Sequence, residues 1–551
     1  MKKIFFVIIL FTAAVYAQDD YVNVDNQVYS FLERMETLHI ISGYNSFELP
    51  KPRKDIVNYL KEVIASKDKL DNVDRKILND LEVEFEYELT GTLRNSESIL
   101  NGGSYDLFSQ KNKYLFYYAK PHKADLFINL LGEGEGIFQN DVANKTNLST
   151  TLGVIGGEIK GTFLDHFGFS LKGTNGYVFG NKEVAKLRED IRYNFKFDEN
   201  KPGEAFFDES EGYLTADYDM LRIKFGRQRM KIGYGPMKSI IDDFAPPFDY
   251  LGFNINYGFF NFSYFHGKLL GDSYFQPDSI TGGIEVVAEK YIGYHRIGFN
   301  LSNAFNFGAG EMIIYGDRPL DLSYLNPFAF YKSIEHANRD RDNSFLFFDF
   351  NNKSITGLKL YSTLLIDDID FGKLGTSWYG NQVLFDLGLY SANLYKILPL
   401  DFKFEYTRVD PYVHTHRTGN TNFTNFGYNL GSILKPNSEL FLGEFNYRFT
   451  NRFNLDASFS YIIHGANPVL PNGTIINVGG DEALGHRTFD SNEAKLLDGD
   501  LEYSRITTAL LTFEPIKQIF FSLKLVYYNE SLQNSISNNQ VQSYFILSAK
   551  L

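Results

Sequence analysis

From Phe441 to Tyr461 the side chains change character at every residue. Phe441, Gly443, Phe445, Tyr447 and Phe449 alternate with Leu442, Glu444, Asn446, Arg448 and Thr450. After Thr450, Asn451 and Arg452, the pattern resumes with Phe453, Leu455, Ala457, Phe459 and Tyr461 against Asn454, Asp456, Ser458 and Ser460. A period of two sends neighbours to opposite faces of a strand, so this stretch is a hairpin with one oily aromatic face and one polar, partly charged face. A soluble sandwich can alternate in this way. Aromatic bookends, charges on the inner face, a tight turn and recurrence along the chain point instead to an outer-membrane barrel.

The N-terminus carries an export signal. Lys2 and Lys3 precede an apolar run from Ile4 to Val15, and the small residues Val15 and Ala17 flank Tyr16. This predicts a secretory signal peptide over residues 1–17, cleaved before Gln18, because the run is too short to span a bilayer. No later stretch approaches the roughly 20 apolar residues of a transmembrane helix, so a membrane crossing must use strands. Export and alternation together predict the outer membrane. With 52 Phe and 37 Tyr, the chain has the rings that interfacial girdles need. It has no cysteine, which excludes disulfides and thiolate metal sites. The formal charge is −14, more negative still once the signal lysines are removed. With no basic stripe, nucleic acid is excluded as a partner.

A different texture precedes the strands. Val28, Phe31, Leu32, Met35 and Leu38 recur at helical spacing, as do Ile56, Val57, Leu60, Val63 and Ile64, and then Val73, Ile77, Leu78, Leu81 and Phe85. Pro50 and Pro52 separate the first two helices, and Asp71 and Asn72 cap the third. Their polar faces mix acids and bases, which suits packing into a bundle better than lying on a membrane. From Glu82 the chain reads as strands to its end. Examples are Leu221, Ile223 and Phe225 around Arg222 and Lys224, and Phe402, Phe404 and Tyr406 around Lys403 and Glu405. At about 9–11 residues per crossing, the remaining length holds on the order of 16–20 strands, centred on 18. The fold class expected is therefore an all-β transmembrane barrel of about 18 antiparallel strands preceded by a small N-terminal three-helix bundle. Its divisions are a signal peptide at 1–17, a periplasmic helical bundle at 18–81 and an outer-membrane β-barrel at 82–551. The polar stretches 139–151, 180–212, 271–283, 412–429 and 465–500 are the expected long extracellular loops.

Several strings exceed what barrel patterning requires. Arg34, Met35 and Leu38, then Lys51, Pro52 and Arg53, open the series. Gly226, Arg227, Gln228, Arg229, Gly233, Tyr234, Gly235 and Pro236 follow, with Ala245, Pro246, Pro247 and Phe248 after them. The longest run is Tyr315, Gly316, Asp317, Arg318, Pro319, Tyr324, Leu325, Asn326, Pro327, Glu335, His336, Asp340, Asp342, Asn343 and Asp349. It continues through Leu360, Tyr361, Leu365 and Asp368 to Glu405, Tyr406, Thr407, Arg408, Asp410, Pro411, Tyr412, Gly431, Pro436, Asn437 and Ser438. These strings resemble the capsule-assembly Wzi family over nearly the whole mature chain. The resemblance implies an 18-stranded outer-membrane barrel with a periplasmic helical bundle, and a lectin-like, non-catalytic role in holding capsular polysaccharide at the cell surface.

Binding candidates sit in loops or in the lumen. The loop from Tyr412 to Tyr428, with Arg417, Asn420, Asn422, Phe423 and Asn425, combines aromatic rings that pack on pyranose faces with side chains that hydrogen-bond hydroxyls. A plain solvated loop reads the same way. Asp317, Arg318, Asp340, Arg341, Asn343 and Arg408 are ligand-contact candidates. The competing reading for Asp317, Arg318, Asp340, Arg341 and Asp342, and for Arg227, Arg229, Glu405 and Arg408, is a lumen-facing salt-bridge network. Neither Asp340, Asp342 and Asn343 nor Asp367, Asp368 and Asp370 has calcium-loop spacing, and His414 and His416 lack further zinc ligands, so no metal and no cofactor are expected. No catalytic motif stands out, and no enzyme is expected. The expected function is a non-catalytic barrel that anchors capsular polysaccharide or exopolysaccharide; the alternative is an outer-membrane channel or substrate-specific porin. Expected partners are surface polysaccharide, outer-membrane lipid and periplasmic export machinery.

Overall fold

A computed structural model describes residues 20–551, apart from 104, 121–122, 143–144, 189–192, 194–195, 198–203, 244, 281, 397–398 and 534–537. The expected signal peptide lies outside the described residues. Eighteen long antiparallel strands close a barrel. The first six are β1 Ala124–Asp141, β2 Thr146–Phe163, β3 Phe167–Gly180, β4 Glu204–Tyr218, β5 Leu221–Arg227 and β6 Asp249–Tyr257. Then come β7 Phe260–Gln276, β8 Ile284–Ser302, β9 Phe305–Gly316, β10 Asn343–Asn352, β11 Leu358–Asp368 and β12 Gln382–Ser391. The last six are β13 Asp401–Val409, β14 Ser438–Thr450, β15 Phe453–Ala466, β16 Asp500–Ile516, β17 Ile519–Leu532 and β18 Asn538–Lys550. Each pairs with its sequence neighbour, and β18 closes on β1 from Gln540↔Asp141 to Lys550↔Leu131. The short strands Phe116–Lys120 and Lys196–Phe197 add to β1 and β4.

The hairpin read from the sequence is β14 and β15, with Phe441 opposite Tyr461 and Tyr447 opposite Leu455. Its aromatic face points outward, and its polar face points into the lumen, where Arg448 meets Asp401 at 2.8 Å. Connections such as 451–452, 303–304 and 517–518 are short at one end of the barrel and long at the other. In outer-membrane barrels this asymmetry marks the periplasmic and extracellular ends respectively.

The long connections expected at 412–429 and 465–500 are found, within 410–437 and 467–499, and the others differ from expectation. Residues 139–151 lie mostly inside β1 and β2, β4 begins within 180–212, and β7 runs to Gln276. Three unforeseen connections, 228–248, 317–342 and 369–381, occupy the extracellular end. Two of them are poor in the Gly and Asn runs by which loops were sought, because they pack against protein.

The N-terminal helices are α1 Val28–Thr37, α2 Arg53–Ala65, α3 Asn72–Glu84 and α4 Glu86–Thr90. Asp71 caps α3 as expected, accepting from the Val73 and Asp74 amides at 2.8 Å. The strand texture expected from Glu82 is corrected: α3 and α4 carry the helical region to Thr90, and β1 begins only at Ala124. Residues 82–90 do alternate polar and apolar. They stay helical because Phe85 is buried in the bundle under the Arg53 guanidinium, which also pairs with Glu88.

The bundle is sunk into the periplasmic mouth of the barrel. Glu33 on α1 accepts from Lys359 of β11 and Lys403 of β13, both at 2.9 Å. Burial raises the Glu33 carboxyl, but the two ammoniums outweigh it and hold the group well below the ordinary carboxylate range. Glu36 pairs with Lys353, and Arg34 bridges Asp74 and Asp401. Beyond α1 the chain reaches up the lumen to Phe47, whose ring meets Tyr234 at 5.0 Å and lies 4.4 Å from the Arg296 guanidinium. There it meets the 228–248 connection descending from the other end. Glu48 and Leu49 pair with Ile232 and Lys231 as a two-stranded ladder, and the Gly233 amide donates to the Phe47 carbonyl at 2.8 Å.

The Gly-Tyr-Gly-Pro string makes this junction possible. Gly235 has φ +69°, and a Cβ there would meet Glu405 Oε2 at 1.8 Å. Tyr234 between the two glycines is fully buried, its hydroxyl bonded by Asn351 at 2.7 Å. Within the same barrel, a chamber of about 820 Å³ remains between the bundle and the wall formed by β14–β18, β1 and β2. Replacing Asp401 by alanine leaves Arg34 and Arg448 without their shared carboxylate. Loss of one partner from such a buried network costs about 3–5 kcal/mol, so Asp401→Ala is expected to lower the thermal unfolding midpoint, read by circular dichroism in detergent.

Candidate functional site

At the extracellular end, the 369–381 and 467–499 connections are joined backbone to backbone. The Tyr379 amide donates to Asn492 O at 3.1 Å and the Ala494 amide to Ser377 O at 2.7 Å. This brings the Tyr379 ring onto the His486 imidazole, 3.5 Å apart and 10° from parallel. Tyr412, from the 410–437 connection, stands edge-on to Tyr379 at 5.8 Å and to His486 at 5.4 Å. Trp378, the only tryptophan, carries the Lys373 ammonium 3.8 Å over its ring. Phe489 is 77% exposed beneath the Arg487 guanidinium. Arg487 is itself fixed by Asp490 at 2.8 Å, and this bond holds the arginine above its ordinary value. The result is a rim of aromatic rings, Phe489 exposed and Trp378, Tyr379 and His486 half-buried, with charged hydrogen-bonding groups beside them, a combination that can pack on the apolar side of a sugar ring while bonding its hydroxyls.

The residues singled out from the sequence scatter by comparison. Tyr412 and Phe423 are buried: Tyr412 donates to Asn477 O at 3.0 Å, and Phe423 stacks on His414 with centroids 4.6 Å apart. Asn420 ties the loop down, donating to Asp317 at 2.7 Å and accepting from the Asp272 amide at 2.8 Å. Arg408 pairs with Asp410 at the rim, at 2.7 Å. Arg417, Asp340 and Arg341 are exposed, and Asn343 is buried, donating to Thr415 O at 3.4 Å.

Arg318 forks onto Asp342 at 2.6 and 2.7 Å, an ion pair as read from the sequence, but placed differently. Strand alternation puts it on the outer wall of the barrel, because Tyr315 and Asp342 flank the inward-facing Ile314 and Asn343. The lumen position expected for that pair is corrected accordingly. Trp378, Tyr379, His486 and Phe489 were missed. The one available signal was a lone tryptophan lying outside any strand.

Most of the oxygen and imidazole groups that could bind a metal have protein partners. Asp342 is held by Arg318 and by the Tyr324 hydroxyl at 2.7 Å. Asn429 donates to His414 Nδ1 at 3.0 Å, and His416 Nδ1 meets Thr421 at 2.6 Å. Among the described residues, no group of three or more His, Asp or Glu could hold a metal ion.

The sequence model of the family described as capsule assembly protein Wzi matches residues 141–511. The chain belongs to the Wzi capsule-assembly family. Among solved structures, the Escherichia coli Wzi barrel is similar over 96% of this chain and 98% of its own, with 13% identity and a TM-score of 0.56. That protein is described as an outer-membrane protein involved in group 1 capsule assembly and as a carbohydrate-binding β-barrel. Acinetobacter baumannii OccAB4 covers 77% of this chain and 98% of its own at 8% identity, with a TM-score of 0.43. Pseudomonas aeruginosa OccK8 has the same coverage at 11% identity and 0.44, and nothing about transport follows at these scores. No curated protein matches the chain. The family strings quoted above are now legible as architecture. Gly233 to Pro236 serve the lumen junction, and Tyr315 to Asp342 serve the outer wall.

Burial pushes the His414 imidazole down to about 3 and His416 to about 4. Both are neutral in the fold at pH 7, whereas in the unlocked loop they titrate near 6.5. The unlocked state therefore binds more protons below that value, and stability of the 410–437 loop is full above about pH 6.5 and falls as pH drops toward 4. Amide hydrogen exchange across 410–437, corrected for intrinsic rates, is expected to be faster at pH 4.5 than at pH 7.

Proposed function

We propose that this barrel is a non-catalytic anchor that binds a long surface polysaccharide, capsular or exopolysaccharide, at its extracellular end. The observation that carries the reading is the half-buried aromatic group of Trp378, Tyr379 and His486 at the extracellular end, with the exposed Phe489 on the same connection as His486. Membership of the Wzi family supports it. The lumen junction at Phe47 and Gly233 speaks against a passive channel, because it blocks the central path with protein backbone. Each contact with a sugar is weak. A polymer spanning many copies is retained because later contacts form at high effective concentration. The periplasmic face of the bundle is where export machinery would meet the barrel.

Truncating an aromatic contact of this kind costs about 1–2 kcal/mol, up to tenfold or more in affinity. The Trp378→Ala, Phe489→Ala double variant is expected to fold normally and to bind the organism's purified surface polymer at least tenfold more weakly by surface plasmon resonance. Cells carrying it should shed polymer into the medium. Unchanged retention of polymer by these cells would overturn the reading.

A further inference from the structure

The 317–342 connection leaves the extracellular end of β9 and folds back over the outside of the barrel. The outer wall of β7 to β10 carries an unusual set of polar side chains: Tyr264, His266, His295, Glu311 and Ser344. On a bare wall each would face hydrocarbon with no water to bond, at a cost of several kcal/mol per unsatisfied group. The connection covers them. Tyr264 donates to Leu325 O at 3.0 Å, His266 meets the Tyr315 hydroxyl at 2.8 Å, and Ser344 bonds Glu335. Glu311 takes His295 at 3.2 Å on one side and the Tyr331 amide at 2.9 Å on the other.

The lobe has an outer surface of its own, oily between Leu320 and Phe330 and charged from His336 to Arg341 where it returns to β10. Leu322 is 78% exposed and Phe328 75%, with Leu320 and Phe330 exposed beside them. Phe328 stacks on Phe262, with centroids 5.2 Å apart and planes 17° from parallel. Phe262 is two residues, about 7 Å along the strand, from Phe260, which begins β7 at the short-turn end and packs on Phe299. The lobe thus lies alongside the membrane-crossing part of the wall and is continuous with its lipid-facing belt. Part of its backbone is bonded within the lobe and to the wall. The Tyr324 and Ala329 amides donate to Asp321 O and Asn326 O at 3.2 Å, and the Asp321 amide to the Tyr315 hydroxyl, also at 3.2 Å.

We infer that the 320–330 part of the lobe is embedded in the bilayer, with Leu320, Leu322, Phe328 and Phe330 in contact with lipid acyl chains, while the charged ends at Asp317 and at His336 to Arg341 stay at the headgroups and water. The lobe gives the barrel a second, non-strand membrane surface on one side. This inference is independent of the polymer reading, since it concerns the wall and not the extracellular surface.

The single tryptophan makes it testable. In a Trp378→Phe background, Phe328→Trp places one fluorophore on the lobe, and Phe489→Trp places one on the extracellular aromatic group. Each folded variant is reconstituted in phosphatidylcholine vesicles with or without bromines on the acyl chains. The Phe328→Trp protein is expected to emit to the blue and to lose most of its emission in brominated vesicles, while the Phe489→Trp protein keeps its emission. Should Phe328→Trp fail to fold, Phe330→Trp is read in the same way. Water-like, unquenched emission from the lobe would place it above the membrane. Blue-shifted but unquenched emission would mean that protein covers it. Either result overturns the inference.

Discussion

An eighteen-strand barrel encloses more space than its own inward side chains can fill, and in the periplasmic half many of those side chains are charged. The structure depends on how these charges are neutralised. Lys353, Lys359, Lys403 and Asp401 point into the periplasmic half of the lumen, and their partners Glu36, Glu33 and Arg34 come from α1. A buried ion without its partner is far more costly than a buried pair is helpful. The helical bundle is therefore a component of the barrel in an electrostatic sense, and its seat in the mouth follows from the wall it completes.

The same rule acts on the outer face. A lipid-facing wall with Glu311, His295 and Ser344 in it is tolerable only under a protein cover, and the 317–342 lobe is that cover. Much of the family-like run from Tyr315 to Asp342 is explained by this demand rather than by recognition. Tyr315 packs at a tilt on Tyr324, Arg318 crosses both rings, and Asp342 receives the guanidinium.

Legibility in the sequence followed periodicity. The hairpin at 441–461 could be read to the residue because a period of two has only two faces to assign, and α1 to α3 because their apolar positions recur at 3.6. Residues 82–90 misled for the same reason: their alternation is genuine, but the Arg53 and Glu88 pair and the buried Phe85 override it. What periodicity cannot encode is where an irregular segment goes once it leaves a strand. Residues 228–248 turn inward, 317–342 turn outward, and 369–381 stay on top, yet all three look like polar, aromatic-bearing loops. Tyr412 and Phe423 have the composition of a sugar site but are buried, Tyr412 behind Tyr379 and His486 and Phe423 against His414. Tyr379 and His486 come together only through the backbone pairing of Ser377 and Tyr379 with Ala494 and Asn492, more than a hundred residues away.

The meeting of Phe47 and Gly233 has a mechanical consequence. Backbone hydrogen bonds there join a segment anchored in the periplasmic bundle to one rooted at the extracellular ends of β5 and β6. Glu405 and Asp386 on the wall grip the same segment through the Met237 amide and the Ser239 hydroxyl. Tension applied to the outer loops therefore has a path down the axis of the molecule to α1, in parallel with the path through the wall. The barrel is a stiff, cross-braced strut between the two sides of the membrane, and neither end can be loaded without the other bearing part of the force.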